Sequence, residues 1–433
     1  MRTLMCGTKR PLVGRLSVPG DKSLSHRSVI IGAISEGITV VNHFLMSEDC
    51  LSTVAAFRDM GVEISKSGNT LVIHGRGISA LSAPKHPLNM GNSGTTARLL
   101  IGLLSGRPFP TELIGDASLS RRPMRRIIDP LRPAGARVSA TAEGTLPVRI
   151  HARTEPLKAI RSRMDVASAQ VKSGLIFAAL QAEGPSVIIE KQKTRDHTER
   201  MLRAFGARVQ TNGLRITVEP GAPLSARPID IPSDLSSAAF FIAAATLVPG
   251  SRLCLEHIGV NPTRTGFLRA LERMGAPVTL CRLTDDLEPA ADVYVQPSPL
   301  RAIDIGAADV PGLIDELPLL ALLATQAAGM TVITGAGELR VKECDRIRAV
   351  TEELSKLGAA IEELPDGMRI IGGTPLCANH EVCLDAHGDH RIGMMLTIAS
   401  LIAEGGEVAI SGSENVNISY PTFFADLEQL LRA

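Results

Sequence analysis

The sequence has 433 residues, of which 44% are hydrophobic and 21% charged, a balance typical of a globular chain with enough apolar surface for sizeable cores. Its 46 Lys and Arg against 45 Asp and Glu give a net charge of +1, and Trp is absent, so neither nucleic acid nor anionic membranes are attracted by overall charge or by base-stacking surfaces. The seven Cys form no C-x-x-C pair, which favours reduced thiols over disulfides or a zinc site.

The N-terminal segment has no continuous apolar stretch, so we expect no signal peptide. No window approaches the run of about 18 apolar residues that a membrane span needs. We therefore expect a cytoplasmic protein that binds neither membranes nor nucleic acid.

One pattern recurs along the chain: a polar start, an apolar run of about three helical turns, a Gly and a β-rich stretch. Its six copies are 25–41, 93–108, 168–189, 236–255, 315–333 and 390–410. Between them lies a helix that ends in Gly and is followed by a strand, at 57–64, 131–138, 202–209, 271–278 and 354–361. A Gly there suits the left-handed backbone that ends many helices. The sequence therefore predicts six β-α-β-α-β-β units of about 70 residues each.

The helices of the first pattern are apolar nearly all round, as in LIFAAL and LPLLALLA, which is typical of helices buried within a domain. We predict an α/β protein of two domains, each with three units whose helices are enclosed by sheets. The boundary should fall near 227–234, where two prolines interrupt the chain.

Polar residues are concentrated where these apolar helices start, and such ends carry unpaired N–H groups and the positive end of the helix dipole. The six starts are Asp21–Arg27, Asn92–Thr96, Ser168–Lys172, Ser233–Ser237, Asp315–Glu316 and Asp389–Arg391. Ordinary N-capping explains part of this composition, most readily at the fourth start. The first start, with Lys22 and Arg27 beside a Pro-Gly turn, is better explained as an anion site. The loop 91–96 either cradles a phosphate or is a plain Gly turn, since it lacks the Lys-Ser/Thr ending of a P-loop.

Two more segments are dense in charge. Segment 121–126 has four Arg around a Pro, which makes either a solvated patch or an arginine site for phosphate or carboxylate. Segment 340–348 is predicted to begin a helix on which Lys342 and Arg346 share one face, forming either a surface ion-pair lattice or part of a site. The clustered cations indicate a small polyanionic ligand, and Asp315 and Glu343 offer carboxylates for proton transfer. The ten His show no metal-ligand spacing, so we expect neither a metal nor a cofactor.

Seven segments together resemble the EPSP synthase family: PGDKSLSHR (19–27), GNSGTTARL (91–99), RRPM (121–124), SAQVKSGL (168–175), LIDELPLLALLA (313–324), RVKECDR (340–346) and DHRIGM (389–394). The resemblance runs from residue 19 to about residue 424, in order. It implies two inside-out α/β domains, each of three β-α-β-α-β-β units with buried parallel helices. We assign the first domain to 19–231 and the second to 1–18 with 232–433, and expect a hinge near 15–20 and 227–234.

The resemblance also implies an activity: transfer of the enolpyruvyl (1-carboxyvinyl) group of phosphoenolpyruvate to the 5-hydroxyl of shikimate 3-phosphate, by addition and elimination through a tetrahedral intermediate, with release of phosphate. It implies that Asp315, Lys342 and Glu343 are catalytic. Shikimate 3-phosphate would be bound by Lys22, Ser23, Arg27, Ser168, Ala169, Gln170, Arg195, Asp315 and Lys342. Phosphoenolpyruvate would be bound by Lys22, Gly94, Arg122, Gln170, Arg346 and Arg391.

The sequence departs from the common family pattern at three places. Arg195 lies in TRDHTERM (194–201), where many relatives have Ser-x-x-Tyr, and we choose it for the phosphate contact. Glu338 stands where many relatives carry Asn. Segment 417–424 lacks the lysine that some relatives use on phosphoenolpyruvate, a feature of the divergent bacterial subgroup. The family is inhibited by glyphosate, and Gly94 is the permissive residue where tolerant relatives often carry Ala.

Two alternatives belong to other classes. The UDP-N-acetylglucosamine enolpyruvyl transferases share this chemistry but use a Cys in a mobile loop, and the corresponding residues 113–123 contain none. A repeat-built clamp around nucleic acid would need cations spread over every unit, whereas here they are concentrated at helix starts. We therefore favour the EPSP synthase family and expect a monomer.

Overall fold

The computed structural model describes residues 2–5, 10–378 and 382–432. The chain divides into two compact units, which we call unit A (Gly20–Ile231) and unit B (Met1–Pro19 with Pro232–Ala433). The hinge expected near their junctions stays a prediction.

The α-helices in the described part of the chain are α1 Lys22–Ile34, α2 Glu48–Asp59, α3 Gly94–Leu104, α4 Arg125–Leu131, α5 Ala169–Ala179, α6 His197–Ala204, α7 Leu235–Leu247, α8 Gly266–Arg273, α9 Leu317–Thr325, α10 Arg346–Lys356, α11 His390–Ile402 and α12 Phe423–Arg432. The strands up to the end of unit A are β1 Arg2–Met5, β2 Val13–Leu16, β3 Glu36–Asn42, β4 Glu63–Ser67, β5 Thr70–Arg76, β6 Leu88–Asn89, β7 Thr111–Ile114, β8 Val138–Ser139, β9 Val148–Ile150, β10 Arg161–Arg163, β11 Ser186–Ile189, β12 Arg208–Asn212, β13 Arg215–Glu219 and β14 Ile229–Asp230. The later strands are β15 Arg252–Gly259, β16 Thr279–Asp285, β17 Pro289–Val295, β18 Asp304–Ile305, β19 Met330–Ile333, β20 Ala360–Leu364, β21 Gly367–Ile371, β22 Cys377–Ala378, β23 Val382–Asp385, β24 Glu404–Gly405 and β25 Glu407–Ser411.

Unit A has three four-stranded sheets built to one plan. Their strand orders are β14-β3-β5-β4, β6-β7-β9-β8 and β10-β11-β13-β12. In each sheet the first pair is parallel and the other two pairs are antiparallel. Helices α3 and α5 each connect the parallel pair of their sheet, because strands that run in the same direction need a crossover.

Unit B repeats the plan twice and varies it once. Its four-stranded sheets have the orders β16-β17-β15-β2 and β18-β19-β21-β20, again with one parallel pair each. The third sheet has the order β1-β25-β23, in which β1 from the start of the sequence runs antiparallel to β25. The predicted sixth unit is shortened in this way and continues into α12.

Buried helices form the centre of each unit. Every residue of α9 is buried, and so are nearly all residues of α1 and α7. In unit A, α3 and α5 touch through their backbones at Gly102 and Gly174, since a Cβ added at Gly102 would lie 1.9 Å from the carbonyl oxygen of Gly174. The two glycines therefore set the distance between these helices.

Aromatic side chains of α7 and of residues 420–424 form a cluster in unit B. Phe241 of α7 lies 5.6 Å from Phe423 and 5.9 Å from Tyr420, measured between ring centroids. All three side chains are fully buried. The segment that lacks the expected lysine therefore supplies core aromatic residues.

The helices that end in Gly have the predicted geometry. The glycine after each has a positive φ: Gly61, Gly135, Gly206, Gly275 and Gly358, at 85° to 101°. No helix in the described part of the chain is both long and apolar enough to cross a membrane.

One local prediction is wrong. Lys342 and Arg346 do not share a helical face, because α10 begins only at Arg346. The side chain of Asp345 accepts a hydrogen bond from the N–H of Arg348 and starts the helix there. Lys342 has an extended backbone at the end of a 3-10 helix, Gly337–Val341.

We expect Gly102→Ala to lower the unfolding free energy of unit A by about 1–3 kcal/mol or more, because the added methyl meets backbone that cannot move aside. Gly184→Ala is the matched control, since a Cβ at Gly184 meets nothing within 4 Å. Urea unfolding of both variants measures the difference. Equal midpoints would contradict the backbone contact between α3 and α5.

Candidate active site

In unit A the starts of the three buried helices are capped and cross-linked by polar side chains, and we call them the helix-start cluster. Asp21, Ser93 and Ser168 each accept a hydrogen bond from a first-turn N–H of their helix. Gln170 at the start of α5 donates to Thr95 Oγ1 at the start of α3, at 3.0 Å. The cluster therefore brings together segments that are far apart in sequence.

A buried hydroxyl chain joins α1 to the start of α3. His26 Nδ1 lies 2.7 Å from Thr53 Oγ1, which lies 2.7 Å from Thr96 Oγ1, and Thr96 in turn bonds to Ser93. Burial lowers the pKa of His26 well below its ordinary value, and the charges of Lys22 and Arg27 lower it further. His26 is therefore neutral and belongs to the framework of the cluster.

Arg27 is buried and shares its donors among three neighbours. Its Nε donates to Thr198 Oγ1 at 2.6 Å, its Nη2 to Ser173 Oγ at 2.8 Å, and its Nη1 to the carbonyl of Ser23 at 2.9 Å. These bonds tie α1 to α5 and α6. Arg27 thus holds the backbone carbonyl of Ser23 and places a positive charge next to it.

A second buried charge group lies next to α6. Lys172 Nζ is 3.1 Å from Glu190 and 2.8 Å from Glu199, and all three side chains are almost fully buried. Thr194 donates its N–H to Glu190. The residue that follows, Arg195, is half-buried just before α6. The buried group therefore anchors the segment that carries Arg195.

Two arginines lie close to Gly94, the first residue of α3. A Cβ added at Gly94 would lie 2.7 Å from Nη1 of Arg98 and 3.5 Å from Nη1 of Arg122. Arg98 Nη1 donates to Gln170 Oε1 at 2.6 Å, and Arg122 Nη2 donates to Asn92 Oδ1 at 2.7 Å. Because Gly94 has no Cβ, the Arg98 guanidinium has space to bond to Gln170.

The remaining predicted residues of unit A also lie at helix starts. Lys22 forms an ion pair with Asp49 and is one-fifth exposed. Ser23, Ser168 and Ala169 are half-buried.

In unit B three predicted cations lie near the carboxylate of the predicted catalytic residue Asp315. Lys342 Nζ lies 3.9 Å from Asp315 Oδ1, Arg346 Nη1 lies 3.6 Å from the same oxygen, and Arg391 Nη2 lies 3.8 Å from Oδ2. With Glu343 and Asp389, these residues form what we call the Asp315 cluster. It contains three cations and three carboxylates.

Arg346 and Asp389 form the buried base of this cluster. Arg346 Nε lies 2.7 Å from Asp389 Oδ2, and its Nη2 donates to Glu343 at 2.7 Å. Burial acts to raise the pKa of Asp389, but the positive charge of Arg346 outweighs it and holds this pKa below its usual range. The same carboxylate caps α11 through the backbone N–H of Arg391, so it joins the Arg346 guanidinium to the start of α11.

Sequence reasoning did not assign roles to several residues that arrange the site. Asp389 precedes the predicted Arg391, and its position before an apolar helix marked it only as a cap. Arg98 follows Gly94 by four residues, so helical spacing gave a signal that it faces the same loop. The hydroxyl chain from His26 joins residues distant in sequence and left no local signal. Glu338 lies half-buried in the 3-10 helix before Lys342.

Comparison with known proteins extends over the whole chain. A family model described as EPSP synthase (3-phosphoshikimate 1-carboxyvinyltransferase) matches residues 7–427. The 3-phosphoshikimate 1-carboxyvinyltransferase of Oenococcus oeni is 50% identical over 432 residues, covering 100% of this chain and 98% of that protein. The enzyme of the same description from Leuconostoc mesenteroides is 51% identical over 425 residues, covering 98% of each.

Solved structures agree on the fold. The EPSP synthase of Acinetobacter baumannii superposes with a TM-score of 0.88 at 44% identity, covering 99% of this chain and 98% of that one. An enolpyruvyl transferase from Streptomyces tendae gives a TM-score of 0.78 at 21% identity, over 99% and 97% of the two chains, which shows the fold alone. The molecule therefore has the α/β fold of enolpyruvyl transferases.

The chain belongs to the EPSP synthase (3-phosphoshikimate 1-carboxyvinyltransferase) family. The predictions of the family, the α/β fold class and a transferase of the shikimate pathway are confirmed. The relatives support this transferase over the UDP-N-acetylglucosamine transferase considered above.

The neutral state of His26 predicts a pH dependence of stability. An unfolded histidine gains a proton below about pH 6.5, whereas folded His26 resists protonation, so stability falls as the pH drops below that value. The loss is up to about 1.4 kcal/mol per pH unit. Between about pH 7.5 and 5.5, the unfolding free energy of His26→Gln should therefore fall by about 1.4 kcal/mol less than that of the parent.

Urea unfolding at the two pH values checks this, with exposed His86→Gln as the control that keeps the full drop. An equal drop in His26→Gln and the parent would show that His26 is protonated in the folded protein.

Proposed function

We propose that the helix-start cluster and the Asp315 cluster supply the groups for transfer of the enolpyruvyl group of phosphoenolpyruvate to the 5-hydroxyl of shikimate 3-phosphate. The observation that carries this proposal is the Asp315 cluster, in which one carboxylate lies within 4 Å of three cations. Such an arrangement suits a proton transfer beside two anionic substrates.

In unit A we assign shikimate 3-phosphate to Lys22, Ser23, Arg27, Ser168, Ala169, Gln170 and Arg195. Phosphoenolpyruvate is assigned there to Lys22, Gly94, Arg122 and Gln170. Capped helix starts favour these anions because their N–H groups and dipoles are already oriented. The buried bonds of Arg27 support a role in which its charge and its hold on Ser23 act together.

In unit B we assign Asp315 as the base that takes the proton of the 5-hydroxyl, with Lys342 beside it at the same substrate. Lys342 and Glu343 supply the proton that the methylene carbon of phosphoenolpyruvate gains as its C2 bonds to the hydroxyl oxygen. Arg346 and Arg391 hold the anionic groups of phosphoenolpyruvate. Loss of phosphate, together with a proton from the same methyl carbon, then restores the double bond. Fixed guanidinium groups stabilise the tetrahedral intermediate better than mobile water does.

The finer expectations are part of this proposal. The protein acts as a cytoplasmic monomer without a metal or cofactor, binds neither nucleic acid nor membranes, and is inhibited by glyphosate. A phosphate-release assay with both substrates tests the reaction, with each substrate omitted in turn as the control. Release that requires UDP-N-acetylglucosamine in place of shikimate 3-phosphate would overturn it.

Lys342→Met should lower turnover by at least about 100-fold, because it keeps the stem but removes the charge and the proton. The side chain of Lys342 is 30% exposed, so folding should be little affected. Lys66→Met, at an exposed lysine on β4, is the control. Steady-state kinetics measure both variants, and turnover within threefold of the parent in Lys342→Met would refute its assigned role.

Glyphosate should inhibit competitively with phosphoenolpyruvate, and Gly94→Ala should raise its inhibition constant roughly 5- to 150-fold, the equivalent of about 1–3 kcal/mol. The added methyl pushes against the Arg98 guanidinium that holds Gln170. Glyphosate has a longer chain between its carboxylate and phosphorus than phosphoenolpyruvate has, so it should lose more affinity than the substrate.

Steady-state inhibition of the parent, Gly94→Ala and the open-space control Gly184→Ala decides this. An unchanged inhibition constant in Gly94→Ala would show that the inhibitor binds away from this loop.

A further inference from the structure

The chain just before Lys342 and Glu343 is attached at two points to one β-hairpin. That hairpin consists of β20 and β21, joined by a turn at Pro365 and Asp366. At the near end, the carbonyl of Asp366 accepts the N–H of Ala336 at 2.7 Å, and its carboxylate accepts the N–H of Gly335 at 2.8 Å. The hairpin therefore fixes the chain just before the 3-10 helix.

At the far end a single guanidinium makes four contacts. Arg340 Nε donates to the carbonyl of Pro365 at 2.8 Å, and Nη2 donates to the carbonyl of Leu364 at 2.7 Å. Its Nη1 lies 2.8 Å from a carboxylate oxygen of Glu363 and donates to Asp345 at 2.7 Å. Arg340 thus joins the hairpin to the residue that caps α10.

These contacts fix both sides of a short stretch. Residues 341–344 run between Arg340 and Asp345, which the same guanidinium holds together. Lys342 and Glu343 lie inside this stretch, outside regular secondary structure. Arg346, which follows the cap, then bonds to Glu343.

We infer that Arg340 is a positioning residue that holds Lys342 and Glu343 in place for proton transfer, an inference that rests on the function proposed above. It acts through the hairpin and through Asp345, without contact with substrate. A lysine cannot replace it, because an ammonium group on a flexible stem does not present the planar fork that reaches two carbonyls and two carboxylates.

Kinetics of Arg340→Gln test the inference. We expect kcat to fall roughly 10- to 100-fold, since a misplacement of about 1 Å at a catalytic group has effects of that size. The KM values for shikimate 3-phosphate and phosphoenolpyruvate should stay within threefold of the parent, and Arg340→Lys should not restore kcat. The control is Arg369→Gln on the same hairpin, where Arg369 pairs with Glu362 at the surface.

A double-mutant cycle separates positioning from general damage. In the Lys342→Met background, Arg340→Gln should lower kcat by a clearly smaller factor than in the parent, because one of the two groups that it positions is already gone. Glu363→Gln removes the negative charge from one of the four contacts and should give a smaller loss of kcat with the same unchanged KM. This milder variant keeps the inference testable even where Arg340→Gln folds poorly.

Parent-like kcat in both Arg340→Gln and Glu363→Gln would overturn the inference and leave the proposed function intact. Equal losses in the parent and Lys342→Met backgrounds would also overturn it, because Arg340 would then act elsewhere. Parent-like turnover in Lys342→Met would overturn the assigned role of Lys342 and this inference with it.

Discussion

A helix buried in an apolar core satisfies most of its backbone from within, but its first N–H groups have no partner in the helix. Within the described residues, five of the six helices that follow the first sequence pattern meet this need with a capping side chain. The caps are Asp21, Ser93, Ser168, Asp234 and Asp389. The start of α9 differs: Pro318 removes one N–H, and Glu316 accepts a hydrogen bond from Ser236 instead of capping. Polar helix starts are thus a requirement of the fold before they become a feature of the site.

Charge balance explains how so many cations are tolerated near one another. A buried arginine without a counterion would be very costly, and Arg346 is 1% exposed. Asp389 and Glu343 neutralise it and leave its Nη1 directed toward Asp315. In unit A, Lys172 is balanced in the same way by two glutamates. The ions are therefore fixed by the folded protein before any substrate arrives, which is the condition under which they stabilise a developing charge best.

Local sequence signals predicted most of the fold. A polar start, an apolar run and a Gly marked each buried helix, because capping and positive φ are decided by a few adjacent residues. The same signals could not show that Arg27 bonds to Thr198 and Ser173, since those partners come from distant parts of the chain. The helix predicted to include Lys342 was wrong for a related reason. Asp345 caps α10, so the helix begins at Arg346 and excludes Lys342. For the site, motifs indicated which residue types matter, but the packing of separate segments decides which of them touch.

The pairing of β1 with β25 has a consequence for the order in which the protein folds during synthesis. Unit A is continuous from Gly20 to Ile231, so its three sheets can form as soon as that stretch has left the ribosome. Unit B has to wait, because β25, the partner of β1, is made only from residue 407 onward. Strand β2 waits a shorter time, until its partner β15 is made at Arg252–Gly259. The earliest residues of the chain are consequently among the last to find their place, and the growing chain carries two unpaired strand edges through much of its translation.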